Sequence, residues 1–397
     1  MSCRPVSPGV LSIIKSIPSR NLVMLDLWHG FQLPHDFSPL LSTIEAFPKL
    51  STLALNYFLP GPTPLDTTRP SFSSILHITL RGCSVTSTDL VYLCPNLESL
   101  NLSLDHVDRS VAGHMDPRPR WPKLSRLIVT VGHTTRWGGG FTTLGAAEVQ
   151  TVLFKLLERR ASPVPHLELA GECELTRDGV TAVDTDASRR LARLLAALQP
   201  RALTLPVHAG FHIPDRRLDG RLWTEVARVL PRLRALTLRR VGADDWELPD
   251  ALPAALAQLQ LRCLFVDASP VDRSGSSRYS SPRMELERVR ALDALPSKLL
   301  AALPKMRVLG ITGTAALPDA VVDTSEKWGL EDLRKWRKGY GERNTRWWRV
   351  DGEGAERKLV ELWREYGEQA QQLVENAENY RVADLAEIYL DKCRYEP

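Results

Sequence analysis

His208 and His212 have the four-residue spacing that places two imidazoles on one helix face, as a zinc site requires. Gly210 lies between them, however, and no glutamate adjoins His208, so both read as structural or surface histidines. Asp184 and Asp186 could chelate a divalent cation, yet they precede a helical stretch whose positive end already favours carboxylates. Gly138–Gly140 lacks both the lysine and the strand-to-helix context of a phosphate loop and reads as an insertion. The six cysteines (Cys3, Cys83, Cys94, Cys173, Cys263, Cys393) contain no CxxC pair. They read as reduced, mostly buried thiols of a cytoplasmic or nuclear protein. Cys83 and Cys173 fall just after predicted strands, where a small thiol packs well. No nucleophile–base pair and no metal constellation emerges. The expectation is therefore a protein without catalytic residues, metal or cofactor.

What positions side chains in this chain is a repeat. The core pattern L-x-L recurs with its first residue at 25, 53, 78, 100, 127, 167, 203, 236, 264 and 309, at intervals of 22 to 45 residues. Most intervals match or slightly exceed those of a leucine-rich repeat. Six copies are preceded by a proline (Pro48, Pro95, Pro122, Pro165, Pro231, Pro304), which ends the preceding helix where the chain turns into the strand. Ala146–Arg160, Ala187–Leu198 and Arg221–Leu230 carry amphipathic helical spacing. The predicted fold is α/β: a leucine-rich-repeat solenoid, a horseshoe with short parallel strands inside and helices outside. About ten irregular repeats fill residues 1–317, with insertions near 59–74, 132–145 and 269–282, and a helical extension occupies 318–397.

Composition fits a folded protein, with 43% apolar and 25% charged residues. The net charge of +4, from 51 basic and 47 acidic residues, does not itself predict a nucleic-acid partner. No run of about 18 apolar residues exists, so no membrane span is expected.

Side chains alternate along a strand, so residues flanking the leucines should face away from the core onto the inner, concave face. That places Trp28, Asn56, Arg81, Asn101, Arg126, Glu168, Arg239 and Asp267 there. Aromatic and arginine anchors suit a protein target. A second candidate is the tail. Residues 334–349 hold seven Lys/Arg against one acid, and Arg334, Lys335, Trp336, Arg346, Trp347, Trp348 and Arg349 could pair with phosphates and stack on bases. A solenoid end also needs a cap, and packing these tryptophans on the last repeat is the favoured reading, which makes nucleic acid the less expected partner. From Leu359 to Tyr389 the pattern reads as helix with an acidic excess.

Leu80–Leu97, LRGCSVTSTDLVYLCPNL, resembles the cysteine-containing leucine-rich repeat of F-box proteins, with a degenerate second copy at Leu169–Val180. The resemblance covers most of residues 20–315. It implies a horseshoe that recruits a protein target for a ubiquitin ligase. In that family a separate N-terminal F-box docks on the Skp adaptor and, through it, on a cullin. Here only about twenty residues precede the first repeat strand, and LSIIKSIPSRNL reads as the last helix of a repeat. The expectation is the target-recognition half without the box.

Overall fold

A computed structural model describes residues 4–5, 8–18, 21–28, 35–36, 38–58, 72–106, 120–131, 146–171, 185–206, 220–239, 248–268, 282–313, 345–376 and 381–390. Asp184, His208, His212, Cys173, Gly138–Gly140, Arg334, Lys335 and Trp336 lie outside them. The chain divides into two compact units, one of residues 1–174 with 189–199 and one of residues 175–188 with 200–397.

The first unit opens with β1 (Arg4–Pro5), α1 (Pro8–Ser16), β2 (Met24–Trp28), β3 (His35–Asp36) and α2 (Ser38–Ile44). The repeat strands continue as β4 (Thr52–Asn56), β5 (His77–Ser84), β6 (Ser99–His106), β7 (Arg126–Val131) and, after α3 (Ala146–Arg160), β8 (His166–Gly171). Each repeat strand pairs in parallel with the next. Their registers place Leu25, Leu53, Ile78, Leu100, Leu127 and Leu167 opposite one another in a single column. Every member of it is buried. A one-residue slip would turn all of them to the other face, so burial of this column fixes the pairing.

In the second unit, which takes in the first residues of α4 (Thr185–Leu198), the pattern recurs with β9 (Ala202–Pro206), α5 (Gly220–Val229), β10 (Ala235–Arg239), α6 (Leu248–Leu256), β11 (Cys263–Asp267), α7 (Pro282–Ala302) and β12 (Val308–Thr312). Leu203, Leu236, Leu264 and Leu309 form its column. These consecutive parallel strands, with helices between β9 and β10, β10 and β11, and β11 and β12, make the fold a leucine-rich-repeat α/β solenoid. All ten predicted strands are present.

The prolines act through one recurrent turn. The N–H groups of Leu50, Leu97, Leu233 and Met306 donate to the carbonyls of Phe47, Cys94, Leu230 and Leu303, each three residues back. Proline is the second residue of each turn, where its fixed φ is already correct and its missing N–H costs nothing. In the repeat that carries the cysteines, the chain after β5 forms a 3₁₀ segment, Val85–Leu93, begun by a reciprocal capping box between Ser84 and Ser87.

The tail departs from the predicted continuous helix. Thr345–Asp351 is a strand, β13, running antiparallel to β12, and Lys358–Leu362 is β14, antiparallel to β13. Leu359 and Leu362 thus belong to a strand. The connection runs from Gly352 to Arg357, and Gly352 at φ 81° and Gly354 at φ 56° take left-handed positions that glycine adopts without strain. Helix resumes at α8 (Arg364–Asn376) and α9 (Val382–Leu390).

Arg357 ties this hairpin to the repeats. Its guanidinium donates to the carbonyls of Leu300, Leu303 and Met306, at 3.0, 2.9 and 3.2 Å, satisfying the open Leu300 acceptor in the last turn of α7 and adding to the two in the turn that follows. Arg357→Ala is expected to destabilise the second unit by about 1–3 kcal/mol, because it removes hydrogen bonds to part-buried carbonyls. Arg357→Lys should recover only part of that loss, since an ammonium cannot reproduce the planar fork. Urea midpoints of the three proteins measure it; an alanine variant as stable as the parent would refute the assignment.

Candidate functional site

The inner face of the first unit is built from alternate residues of β2 and β4–β8. Among the residues whose side chains are described, its ionisable members are Asp26, His77, Arg81, Arg126, His166 and Glu168. Trp28, Asn56 and Arg81 are direct cross-strand neighbours in one row. Trp28 is 67% exposed, and its ring meets that of Tyr57 at 6.4 Å between centroids, tilted by 56°. Arg81 is exposed. Arg126 remains half-exposed while pairing with Glu168 at 3.0 Å.

Two predicted contact residues turn out otherwise. Asn56 is buried, its amide donating to Asp26 Oδ1 at 2.7 Å and to the Leu27 carbonyl at 3.2 Å. It holds its neighbours in place and offers no surface of its own. Glu168 is buried under the same logic, with its carboxylate committed to Arg126. Asn101 is half-buried. Trp28, Arg81 and Arg126 are the predicted residues that keep exposed side chains on this unit.

In the second unit the corresponding face is occupied by the chain itself. Ala202, Ala235, Cys263 and Val308 are the first inner-face residues of β9–β12. They form one buried cluster with Trp347, Leu362, Ala370, Val374 and Leu385. Gln371 Nε2 donates to Thr237 Oγ1 at 3.2 Å, and Arg234 donates to the Glu375 carbonyl at 3.3 Å. Helix α8 therefore lies against the sheet through Gly367, Ala370 and Val374, spaced i, i+3, i+7. Of the predicted residues on this unit, Arg239 is exposed and Asp267 half-buried at the far end of their strands. Neither Arg239 nor Asp267 belongs to the buried cluster.

A signal for this was present in the sequence. The residue just before each L-x-L is Met24, Thr52, His77, Ser99, Arg126 and His166 in the first unit, but Ala202, Ala235, Cys263 and Val308 in the second. Small apolar residues there make a floor onto which a helix can close. Burial also explains the thiols. Desolvation pushes Cys94 up to about 12 and Cys263 well above its ordinary value, with the Glu375 carboxylate adding to the latter. Neither is a thiolate nucleophile at neutral pH. Cys83, Cys94 and Cys263 are buried thiols outside any disulfide.

The described part of the basic–aromatic tail is also folded inward. Trp347 is 1% and Trp348 6% exposed. Arg346 forms a fork with Glu361 at 2.9 Å through Nε and Nη2, reaches Asp293 at 3.1 Å through Nη1, and stacks 5.0 Å from the Trp348 ring. That hydrogen-bonded pairing holds the Glu361 carboxyl below its ordinary range. Arg349 pairs with Asp351 at 3.1 Å. In this arrangement neither tryptophan presents a face on which a base could stack. Among the described residues no helix is long and apolar enough to cross a membrane, and no cluster of His, Cys, Asp and Glu could hold a metal.

No family model matches the sequence, and no curated protein matches it. Among solved structures, the chain is similar to TLR13 in its complex with ssRNA13, with a TM-score of 0.28 and 14% identity. That likeness covers 66% of this chain and 32% of the other, so this chain spans about a third of that neighbour. It is also similar to an internalin from Listeria monocytogenes str. 4b F2365, with a TM-score of 0.22 and 14% identity, covering 72% of this chain and 91% of the other. The repeat fold rests on the leucine columns described above.

Proposed function

We propose that this chain is a binding module without catalytic activity, whose target is a protein held on the inner face of the first unit. The observation that carries this reading is the contrast between the two faces: one is filled by the chain's own helix, and the other leaves Trp28, Arg81 and Arg126 exposed. Exposed tryptophan and arginine on a rigid parallel sheet are the residue types that dominate binding energy. The tail 318–397 serves as the cap of the array, with β13 and β14 covering the edge of β12 and α8 its face. A finer reading, supported by the resemblance at Leu80–Leu97, is target recognition for a ubiquitin ligase in the cytoplasm or nucleus, with the Skp adaptor and cullin as further partners. Nucleic-acid binding through residues 334–349 is disfavoured by the burial of Trp347 and Trp348.

Affinity capture with the whole chain tests both levels. Recovery of the Skp adaptor and a cullin supports the ligase role; their absence, with another protein retained, removes it. Trp28→Ala combined with Arg81→Ala is expected to leave the melting temperature within a few degrees and to weaken a captured protein at least tenfold. Arg239→Ala, on the self-occupied unit, should change capture little. Equal capture by all variants would refute the assigned face.

A further inference from the structure

Tyr57 follows the last residue of β4 and has φ 60°, a left-handed conformation that is a genuine outlier for a bulky side chain. The fold enforces it. The Tyr57 N–H donates to the Arg81 carbonyl at 2.7 Å, while Phe58, the next residue, is buried at 2% exposure. The strained residue delivers its ring against the exposed Trp28. Such strain costs about 1–3 kcal/mol and persists where surrounding structure over-determines it, commonly at ligand-binding positions.

The charged groups of this face are engaged unequally, and Asp26 keeps its negative charge because an amide hydrogen bond does not neutralise a carboxylate. Glu168 is committed to Arg126, and Asp26 accepts the Asn56 amide. Arg81 is exposed and has no ion-pair partner among the described residues, with His77 exposed on the same strand and face. We propose, building on the inner-face reading above, that Trp28, Tyr57 and Arg81 form an anchor site for an acidic peptide segment carrying an apolar side chain. The apolar group packs on the Trp28–Tyr57 pair and a carboxylate pairs with the Arg81 guanidinium. Trp28 and Arg81 are two strands apart, about 10 Å at the backbone. In an extended peptide, same-face side chains two or four residues apart are separated by about 7 or 13 Å, which brackets that span within the reach of the arginine. A polyanion fits less well. Nucleic-acid affinity needs several phosphate contacts, whereas Asp26 puts a carboxylate on the same strand and face as Trp28.

The test uses the whole chain and a synthetic array of 15-residue peptides. Each has one leucine or tryptophan, with Glu, Gln or Lys placed two or four residues away. Glu peptides should bind at least tenfold better than their Lys counterparts, and Arg81→Glu should reverse that order. Tyr57→Gly separates anchoring from folding, because glycine accepts φ 60° without strain. It should keep or raise the melting temperature and still lose about tenfold in peptide binding, a pattern that a merely structural tyrosine would not give. If Arg81→Glu selects the same peptides as the parent while Trp28→Ala abolishes binding, the acidic-partner inference fails and the inner-face reading stands. If binding is indifferent to both residues, the inner-face reading itself fails. A single-stranded RNA homopolymer that displaces Glu peptides and outbinds them would overturn the peptide assignment in favour of nucleic acid.

Discussion

Replacing Trp347 with alanine is expected to cost the second unit about 3–5 kcal/mol and to release α8 from the sheet. The indole is 1% exposed and fills a slot made by two glycines. A Cβ built on Gly310 would lie 2.6 Å from the ring, and one on Gly367 would overlap it, closer than real side chains pack. Phe265 closes a third side, 5.4 Å from the indole between ring centroids. The slot and the ring are thus a matched set: glycine on the strand and on the helix lets the largest side chain sit between them. Gly367→Ala should therefore be nearly as damaging as the truncation, and the two changes combined should cost less than their sum, since each relieves the defect of the other. Because the chain has two units, a single global transition is not assured. Hydrogen exchange across Arg364–Asn376 is the direct readout. Exchange there that is unchanged in Gly367→Ala would show that the helix does not depend on this slot.

The strands were legible because period-two leucine spacing is what a buried strand face requires, and the prolines marked where each strand begins. Leu25 to Leu309 needed no tertiary information. The use of the inner face was less legible, because alternation says which way a side chain points and not what covers it. Ala202, Ala235 and Cys263 were simply small residues until α8 was seen lying on them. Asn56 and Glu168 point as expected but are consumed by lateral bonds to Asp26 and Arg126, which depend on register across strands 30 and 42 residues apart in sequence. The tail hairpin was hidden by Leu359, Leu362 and Leu373, whose spacing also suits a helix. Gly352 and Gly354, in the connection between the two strands, were the overriding cue. Tyr57 left no mark, since neither composition nor periodicity reports a left-handed backbone.

Asp89 illustrates the same limit with the second large expected effect. In the sequence nothing links it to Arg160, the last residue of the Ala146–Arg160 helix. In the fold they are a buried ion pair, with side chains 3% and 7% exposed and Arg160 Nη1 at 3.1 Å from Asp89 Oδ1. Thr88 completes the site. Its hydroxyl donates to the Val85 carbonyl at 2.6 Å and accepts from Arg160 at 3.1 Å. The pair joins the end of α3 to the 3₁₀ segment Val85–Leu93, two elements 71 residues apart in sequence. Removing one partner leaves the other charge buried without compensation, which costs about 3–5 kcal/mol. Asp89→Ala or Arg160→Met alone should therefore destabilise the first unit by that amount. Asp89→Leu with Arg160→Met should cost markedly less, because two apolar groups of similar volume need no partner. The comparison is read from urea midpoints together with hydrogen exchange in β5 and β6, the strands flanking the 3₁₀ segment in sequence. If the double variant loses the sum of the two single losses, the residues are independent, and the first unit is held at this corner by packing alone. If the double variant recovers most of the loss, the ion pair sets which elements meet while contributing little net stability, as expected for charges taken out of water.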